Sequence, residues 1–147
     1  MSVFPTWPEG LLGVGVDLVE ISRFDEPARR APQGVATRLL TDRELADTRA
    51  RRPDYLASRF AAKEAVMKAL GAGMDIVSFR DIEIFQDELG KPEVLLLGSA
   101  LARAEQSGVR RVLISISHTK EHAIAFAVAC GGGQHETRKP GGDPEDR

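Results

Sequence analysis

The sequence predicts an α+β fold with antiparallel strands packed on one long helix. Short runs of alternating apolar residues lie toward both ends of the chain, and an alanine-rich helical run occupies residues 53–70. Strands and helices are mixed without the regular alternation that a doubly wound parallel sheet requires.

Leu11 to Val19 reads as a buried strand. Val14, Val16 and Leu18 share one of its faces, and Gly13, Gly15 and Asp17 share the other. Residues 20–33 read as weakly helical and broken near Pro27 and Pro32. Thr41-Asp42-Arg43-Glu44 matches a capping box, with Thr41 as N-cap and Glu44 three residues on, and predicts a helix of about two turns. The long helix runs from near Pro53 to Leu70, with Gly71 placed to stop it. Phe79–Gln86 and Glu93–Leu97 read as a hairpin turning through Asp87-Glu88-Leu89-Gly90. Ser99 reads as the cap of a further helix that ends at Gly108. Arg111–Ser117 and His122–Ala129 read as a second strand pair. The second of these carries a face of four alanines, 123, 125, 127 and 129, suited to close packing on the long helix.

These elements occupy one domain, residues 11–130, preceded by an arm at 1–10. The tail at 131–147 is rich in glycine, proline and charge, and is expected to be disordered. The 147 residues are 42% apolar, enough to bury a core, and the net charge of −2 points away from nucleic acid or an anionic membrane as partner. The single cysteine, Cys130, excludes a disulfide framework within the chain and suits a reducing, cytoplasmic setting. The sequence contains neither a signal-peptide pattern nor a membrane span.

Three segments carry candidate chemistry. Asp17 lies in the run Gly13–Val19, which is otherwise uncharged, and the glycines beside it clear space for a ligand or another backbone. A buried carboxylate needs a cation or several donors, so Asp17 reads either as a metal ligand or as a strand-end Asp bonding local N–H groups. In the long helix, Leu56, Phe60, Met67 and Leu70 form an apolar stripe with Lys63 in its middle. Glu64 and Lys68 lie one turn apart along one side, and Arg59 borders the other. A carboxylate among cations suits a divalent metal bound to a phosphate; the alternative is a snorkelling Lys63 beside a solvated Glu64–Lys68 pair. Ser117-His118 ends a strand and reads as a polar rim beside a ligand. Adjacent strand residues face opposite ways, so the two form no catalytic triad.

Together these segments resemble the holo-acyl-carrier-protein synthase family of phosphopantetheinyl transferases. Gly13-Val14-Gly15-Val16-Asp17-Leu18-Val19-Glu20-Ile21 looks like the family's first strand, and Arg59-Phe60-Ala61-Ala62-Lys63-Glu64-Ala65-Val66-Met67-Lys68-Ala69-Leu70-Gly71 like its signature helix. Asp81-Ile82-Glu83-Ile84, Gly90-Lys91-Pro92 and Ser115-Ile116-Ser117-His118-Thr119 match in type and order, so the resemblance covers about residues 11–130. It implies a 4′-phosphopantetheinyl transferase-like fold and an enzyme that moves the phosphopantetheine arm of coenzyme A onto a serine of an apo acyl carrier protein. It implies Mg²⁺ held by Asp17 and Glu64, and a catalytic set of Asp17, Glu64, Lys68 and His118. Coenzyme A would be bound by Arg59, Lys63, Lys68, Gly71, Ser117 and His118, in a homotrimer with sites between subunits.

Eight of the fifteen arginines lie between Arg23 and Arg52. The resemblance makes Arg23, followed by Arg29 and Arg30, the candidates for receiving an acidic carrier. A non-catalytic module for coenzyme A or a nucleotide and a structural trimerising domain are the competing readings.

Overall fold

The computed structural model describes residues 10–30 and 34–132, without the side chains of Ala28 and Arg29. The expected arm therefore lies outside the described residues apart from Gly10, and the expected tail apart from Gly131 and Gly132. The last strand runs to Gly131, whose N–H donates to the carbonyl of Gly10 at 2.7 Å, so the folded unit reaches one residue past 130.

Strands β1 (Leu11–Glu20), β4 (Val109–His118) and β5 (His122–Gly131) form an antiparallel sheet in the order β1-β5-β4. Strands β2 (Ile82–Gln86) and β3 (Pro92–Leu96) form a separate hairpin. Its turn is held by Asp87 Oδ1, which accepts from the N–H groups of Leu89 and Lys91, both at 2.9 Å. Helix α4 (Pro53–Ala69) lies across the inner face of the large sheet. Helices α1 (Asp25–Arg30), α2 (Gly34–Leu39) and α3 (Asp42–Leu45) follow β1, and α5 (Gly98–Gln106) precedes β4.

The sheet and α4 meet through small residues. Ala123, Ala125, Ala127 and Ala129 are at most 1% exposed, and so are Ala57, Ala61, Ala62 and Ala65 of the helix. The approach is closest at β1: a Cβ on Gly13 would collide with the carbonyl oxygen of Ala69, and one on Gly15 with that of Ala65. The glycines are thus required by the helix backbone itself. In consequence β1 is buried on its glycine face, and Val14, Val16 and Leu18 turn outward with exposures of 45, 50 and 63%. They stand opposite Val128, Phe126 and Ile124 of β5, and Phe126 and Ile124 are exposed as well. The large sheet therefore has one face packed on α4 and one open apolar face.

Several local expectations are corrected. Pro27 sits in the first turn of α1, where no intrahelical N–H bond is lost, so it does not break that helix. Helix α2 was not foreseen; it is too short to show a periodic stripe. The capping box at Thr41 forms as expected, with Thr41 Oγ1 accepting from Glu44 N at 3.3 Å and Glu44 Oε1 from Thr41 N at 2.9 Å, but α3 is a single turn. Phe79–Asp81 forms a 3₁₀ turn ahead of β2. Ser99 does not cap α5; Asp81 Oδ2 accepts from Ser99 N at 2.9 Å and from Ser99 Oγ at 2.6 Å. The apolar stripe expected on α4 is only part of its buried surface: helices and β2 cover its other side, and most of its residues are buried all round.

Candidate active site

The first cluster lies where β1 meets the flank of α4. Asp17 leaves β1 on the inner face, two residues after Gly15, and α4 presents Glu64 and Lys68 one turn apart. Lys68 Nζ donates to the carbonyl of Val16 at 2.9 Å and to Asp17 Oδ1 at 3.3 Å. Asp17 Oδ2 is buried and has no hydrogen-bond partner. Glu64 is half-buried, and its pKa is raised above the usual carboxylate value, first by burial and then by the negative charge of Asp17; the cations Lys68 and Arg23 act in the opposite direction.

Two carboxylates thus share one place, one of them with an orphaned oxygen, which is the electrostatic signature of a cation site. Among the described residues no group of three or more His, Cys, Asp or Glu side chains could hold a metal. Two carboxylates alone suit Mg²⁺, which commonly binds through one or two carboxylates and completes its shell with water and phosphate oxygens.

Arg23 belongs to this neighbourhood. It follows β1, its guanidinium lies 5.4 Å from the centroid of the Phe60 ring, and its charge is felt at Glu64. With Phe24, Leu39, Phe60, Phe79 and Arg38 it lines an apolar hollow of about 260 Å³. Arg30 is exposed and paired with Glu26 at 2.7 Å. The side chain of Arg29 lies outside the described residues.

The second cluster lies on the opposite flank of α4. A cleft of about 250 Å³ gathers Arg49, Tyr55, Arg59, Gly90, Pro92 and His118, among others. The Arg59 guanidinium stacks 4.4 Å from the centroid of the Tyr55 ring. Its Nε is buried without a hydrogen-bond partner, 3.9 Å from Glu44 Oε2. Arg59 and Glu64 are five residues apart, about 140° around the helix. Asp17 and His118 stand on the two outer strands, β1 and β4, with β5 between them. The two clusters therefore lie on opposite sides of α4.

Lys63 joins neither cluster, which corrects its expected place in the ligand site. It is fully buried, and its ammonium donates to Glu44 Oε1 at 2.6 Å, to the Leu39 carbonyl at 2.6 Å and to the Phe79 carbonyl at 3.1 Å. Burial pushes its pKa below the ordinary lysine value, and the charge and hydrogen bond of Glu44 pull it back. Glu44 also accepts from Ile84 N at 3.3 Å, and Thr41 Oγ1 donates to Glu83 Oε2 at 2.9 Å. The group ties α3, α4 and β2 together.

Ser117 is exposed on the outer face of β4, opposite Ile124, and turned away from His118. Gly71 ends α4 in the left-handed region at φ +66, and its carbonyl accepts from Arg103 at 3.4 Å. Sequence reasoning missed Tyr55 and the site carbonyl of Val16, and it saw Glu44 only as a helix cap. A lysine inside an apolar stripe does call for a buried anion, but that anion lies 19 residues away and has no local signature.

A family model described as the 4′-phosphopantetheinyl transferase superfamily matches residues 13–127. A holo-[acyl-carrier-protein] synthase of Clostridium novyi is 45% identical over 120 residues, which is 80% of this chain and 86% of the relative. The crystal structure of the holo-[acyl-carrier-protein] synthase of Neisseria meningitidis superposes with a TM-score of 0.71 at 41% identity, covering 81% of this chain and 98% of that one. The Helicobacter pylori holo-[acyl-carrier-protein] synthase, solved in complex with coenzyme A, gives a TM-score of 0.70 at 29% identity, covering 79% and 98%.

Proposed function

Because this chain belongs to the 4′-phosphopantetheinyl transferase superfamily, we propose that it is a holo-[acyl-carrier-protein] synthase, transferring the 4′-phosphopantetheine group of coenzyme A to a serine of an apo acyl carrier protein. The observation that carries this reading is the buried, unpartnered Asp17 Oδ2 beside a Glu64 whose proton affinity is raised. Asp17 and Glu64 would hold Mg²⁺, which when bound offsets the negative charge of the pyrophosphate oxygens.

In the reaction the carrier serine Oγ bonds to the β-phosphorus, the bond from that phosphorus to the 3′,5′-ADP oxygen breaks, and 3′,5′-ADP leaves. The hydroxyl proton passes to Glu64 or to a water beside it. Lys68, fixed by the Val16 carbonyl, brings an ammonium to the phosphate oxygens. His118 and Arg59 line the coenzyme A cleft. Arg23, with Arg30 and Arg29 beyond it, receives the acidic carrier next to the carboxylate pair.

The reading includes a homotrimer with sites between copies. Two features support it: an open apolar face formed by Val14, Val16, Leu18, Leu113, Ile124 and Phe126, and half-sites on opposite flanks of each chain, which neighbouring copies bring together. The setting we propose is cytoplasmic fatty acid biosynthesis. In support, no helix among the described residues is long and apolar enough to cross a membrane, and the one cysteine is free.

Incubating the protein with coenzyme A, Mg²⁺ and an apo carrier tests the whole reading. The carrier should gain the phosphopantetheine mass and 3′,5′-ADP should appear. Binding of coenzyme A without any mass gain would make the protein a binding module instead.

A further inference from the structure

We propose that Tyr55 is a positioning residue for the transfer reaction: its ring holds the Arg59 guanidinium at the wall of the cleft where that cation meets a phosphate of coenzyme A. The inference rests on the function proposed above and adds a residue to it.

Arg59 is 9% exposed, yet it lacks the tight carboxylate partner that a buried guanidinium ordinarily has. The nearest anion, Glu44, is already engaged by the Lys63 ammonium at 2.6 Å, Thr41 N at 2.9 Å and Ile84 N at 3.3 Å, and stands 3.9 Å from Arg59 Nε. Nε itself makes no hydrogen bond. The charge of Arg59 is therefore left for a ligand, and no bidentate bond fixes the direction of its long side chain.

Tyr55 supplies that direction. It lies one turn before Arg59 on α4, is 6% exposed, and lines the same cleft. Its ring centroid is 4.4 Å from Arg59 Cζ and 5.4 Å from Arg49 Cζ. Arg49 is clamped by Asp47 through contacts of 2.7 and 3.0 Å, so it braces the ring and has its own charge compensated. The Tyr55 hydroxyl reaches the Glu44 carbonyl only at 3.5 Å and also acts on Arg59 through a side-chain hydrogen bond, so the ring face is the larger part of the hold and the hydroxyl the smaller. A guanidinium held over an aromatic face keeps its edge, and so its donors, free for an anion.

The test uses the full chain with coenzyme A, Mg²⁺ and apo carrier, and compares Tyr55→Leu, Tyr55→Phe, Arg59→Met and the Tyr55→Leu/Arg59→Met double variant. Tyr55→Leu should raise KM for coenzyme A roughly 3- to 30-fold, the range of a partly desolvated cation–π contact, with little change in kcat. Tyr55→Phe, which keeps the ring, should recover most of the wild-type affinity and lie much closer to the wild-type KM than to that of Tyr55→Leu. In the Arg59→Met background the Leu substitution should add nothing. Melting temperature and calorimetric coenzyme A affinity, measured on the same preparations, separate a positioning role from lost stability. A Tyr55→Leu variant that melts earlier with unchanged KM and affinity overturns the proposal, as does a KM loss equally large without Arg59, or a Phe variant as impaired as the Leu variant. If the wild type transfers nothing, the functional reading fails and the proposal with it; an active wild type with an indifferent Tyr55 defeats only the proposal.

Discussion

Helix α4 carries two lysine–carboxylate assemblies a little more than one turn apart, and they are built on opposite plans. Lys63 and Glu44 are both fully answered: three acceptors surround the ammonium, and Glu44 finds two backbone N–H groups besides. Around Lys68 the account stays open. One cation, itself exposed, faces Asp17 with Glu64 close by, and a buried oxygen has no donor. A satisfied buried network specifies a packing arrangement and resists change. An unsatisfied one raises the energy of the free protein and lowers it again when an ion arrives, which is how a binding site differs from a core. The residue types are nearly the same in both places, and the state of their hydrogen bonds distinguishes them.

The largest effect should come from the open assembly. Asp17→Asn and Glu64→Gln should each lower transfer by about 10²–10³-fold or more, the scale of losing a principal electrostatic stabiliser, and leave the melting temperature within a few degrees. Initial rates over a Mg²⁺ series check this; near wild-type turnover at limiting Mg²⁺ would remove that residue from the metal. The closed assembly should respond in the opposite currency. Lys63→Met strands the Glu44 carboxylate and should cost about 3–5 kcal/mol of stability, while the fraction that remains folded still transfers. Denaturant unfolding and turnover per folded molecule separate these quantities. A Lys63→Met protein with parental stability and no activity would place Lys63 in the site and dissolve the contrast.

Smaller effects sharpen the comparison. Arg23→Glu should raise KM for the carrier and leave coenzyme A affinity nearly unchanged. Wild-type rates at limiting carrier should fall as salt rises, more steeply than those of the variant. The mildest prediction concerns pH in metal-free buffer. The folded pKa of Glu64 lies above its ordinary value of 4.5, so the folded state holds that proton longer than the unfolded one. Glu64 thus favours folding below about 4.5, and this benefit is lost as pH rises through the raised folded pKa. Relative to Glu64→Gln, the wild type should therefore melt highest at acid pH and lose ground toward neutrality. Mg²⁺ with coenzyme A should return it. A difference independent of pH would mean that Glu64 is not strained by Asp17 and burial.

Much of this was legible in residue order because the signals are local. The Thr41–Glu44 box, the alternation of β4 and β5, the four-alanine face and the Gly71 stop each lie within a few residues of one another. The pairing of Asp17 with Glu64 and Lys68 was reached through the odd placement of charge in apolar runs and through resemblance. The orientation of β1 was not legible, because its valines look like core until the helix backbone claims the glycine face. The separation of Asp17 from His118 by the width of the sheet depends on strand order, which alternation does not encode. The role of Lys63 depends on Glu44, and the bonding of Ser99 on Asp81, which accepts from it; both are tertiary encounters with no trace in spacing.

The close approach of β1 to α4 has a metrological consequence. Gly15 rests against the carbonyl of Ala65, the neighbour of Glu64, and stands two residues before Asp17. The gap between the two carboxylate-bearing segments is thus gauged by main chain against main chain, with no side chain interposed to bend or change rotamer. Such a spacer has almost no compliance. Mg²⁺ tolerates little departure from octahedral geometry, whereas Ca²⁺ accepts looser and longer shells. In the reading proposed above, a pair of glycines, carrying no functional group at all, thereby becomes the calliper that sets which ion the two acids would grip.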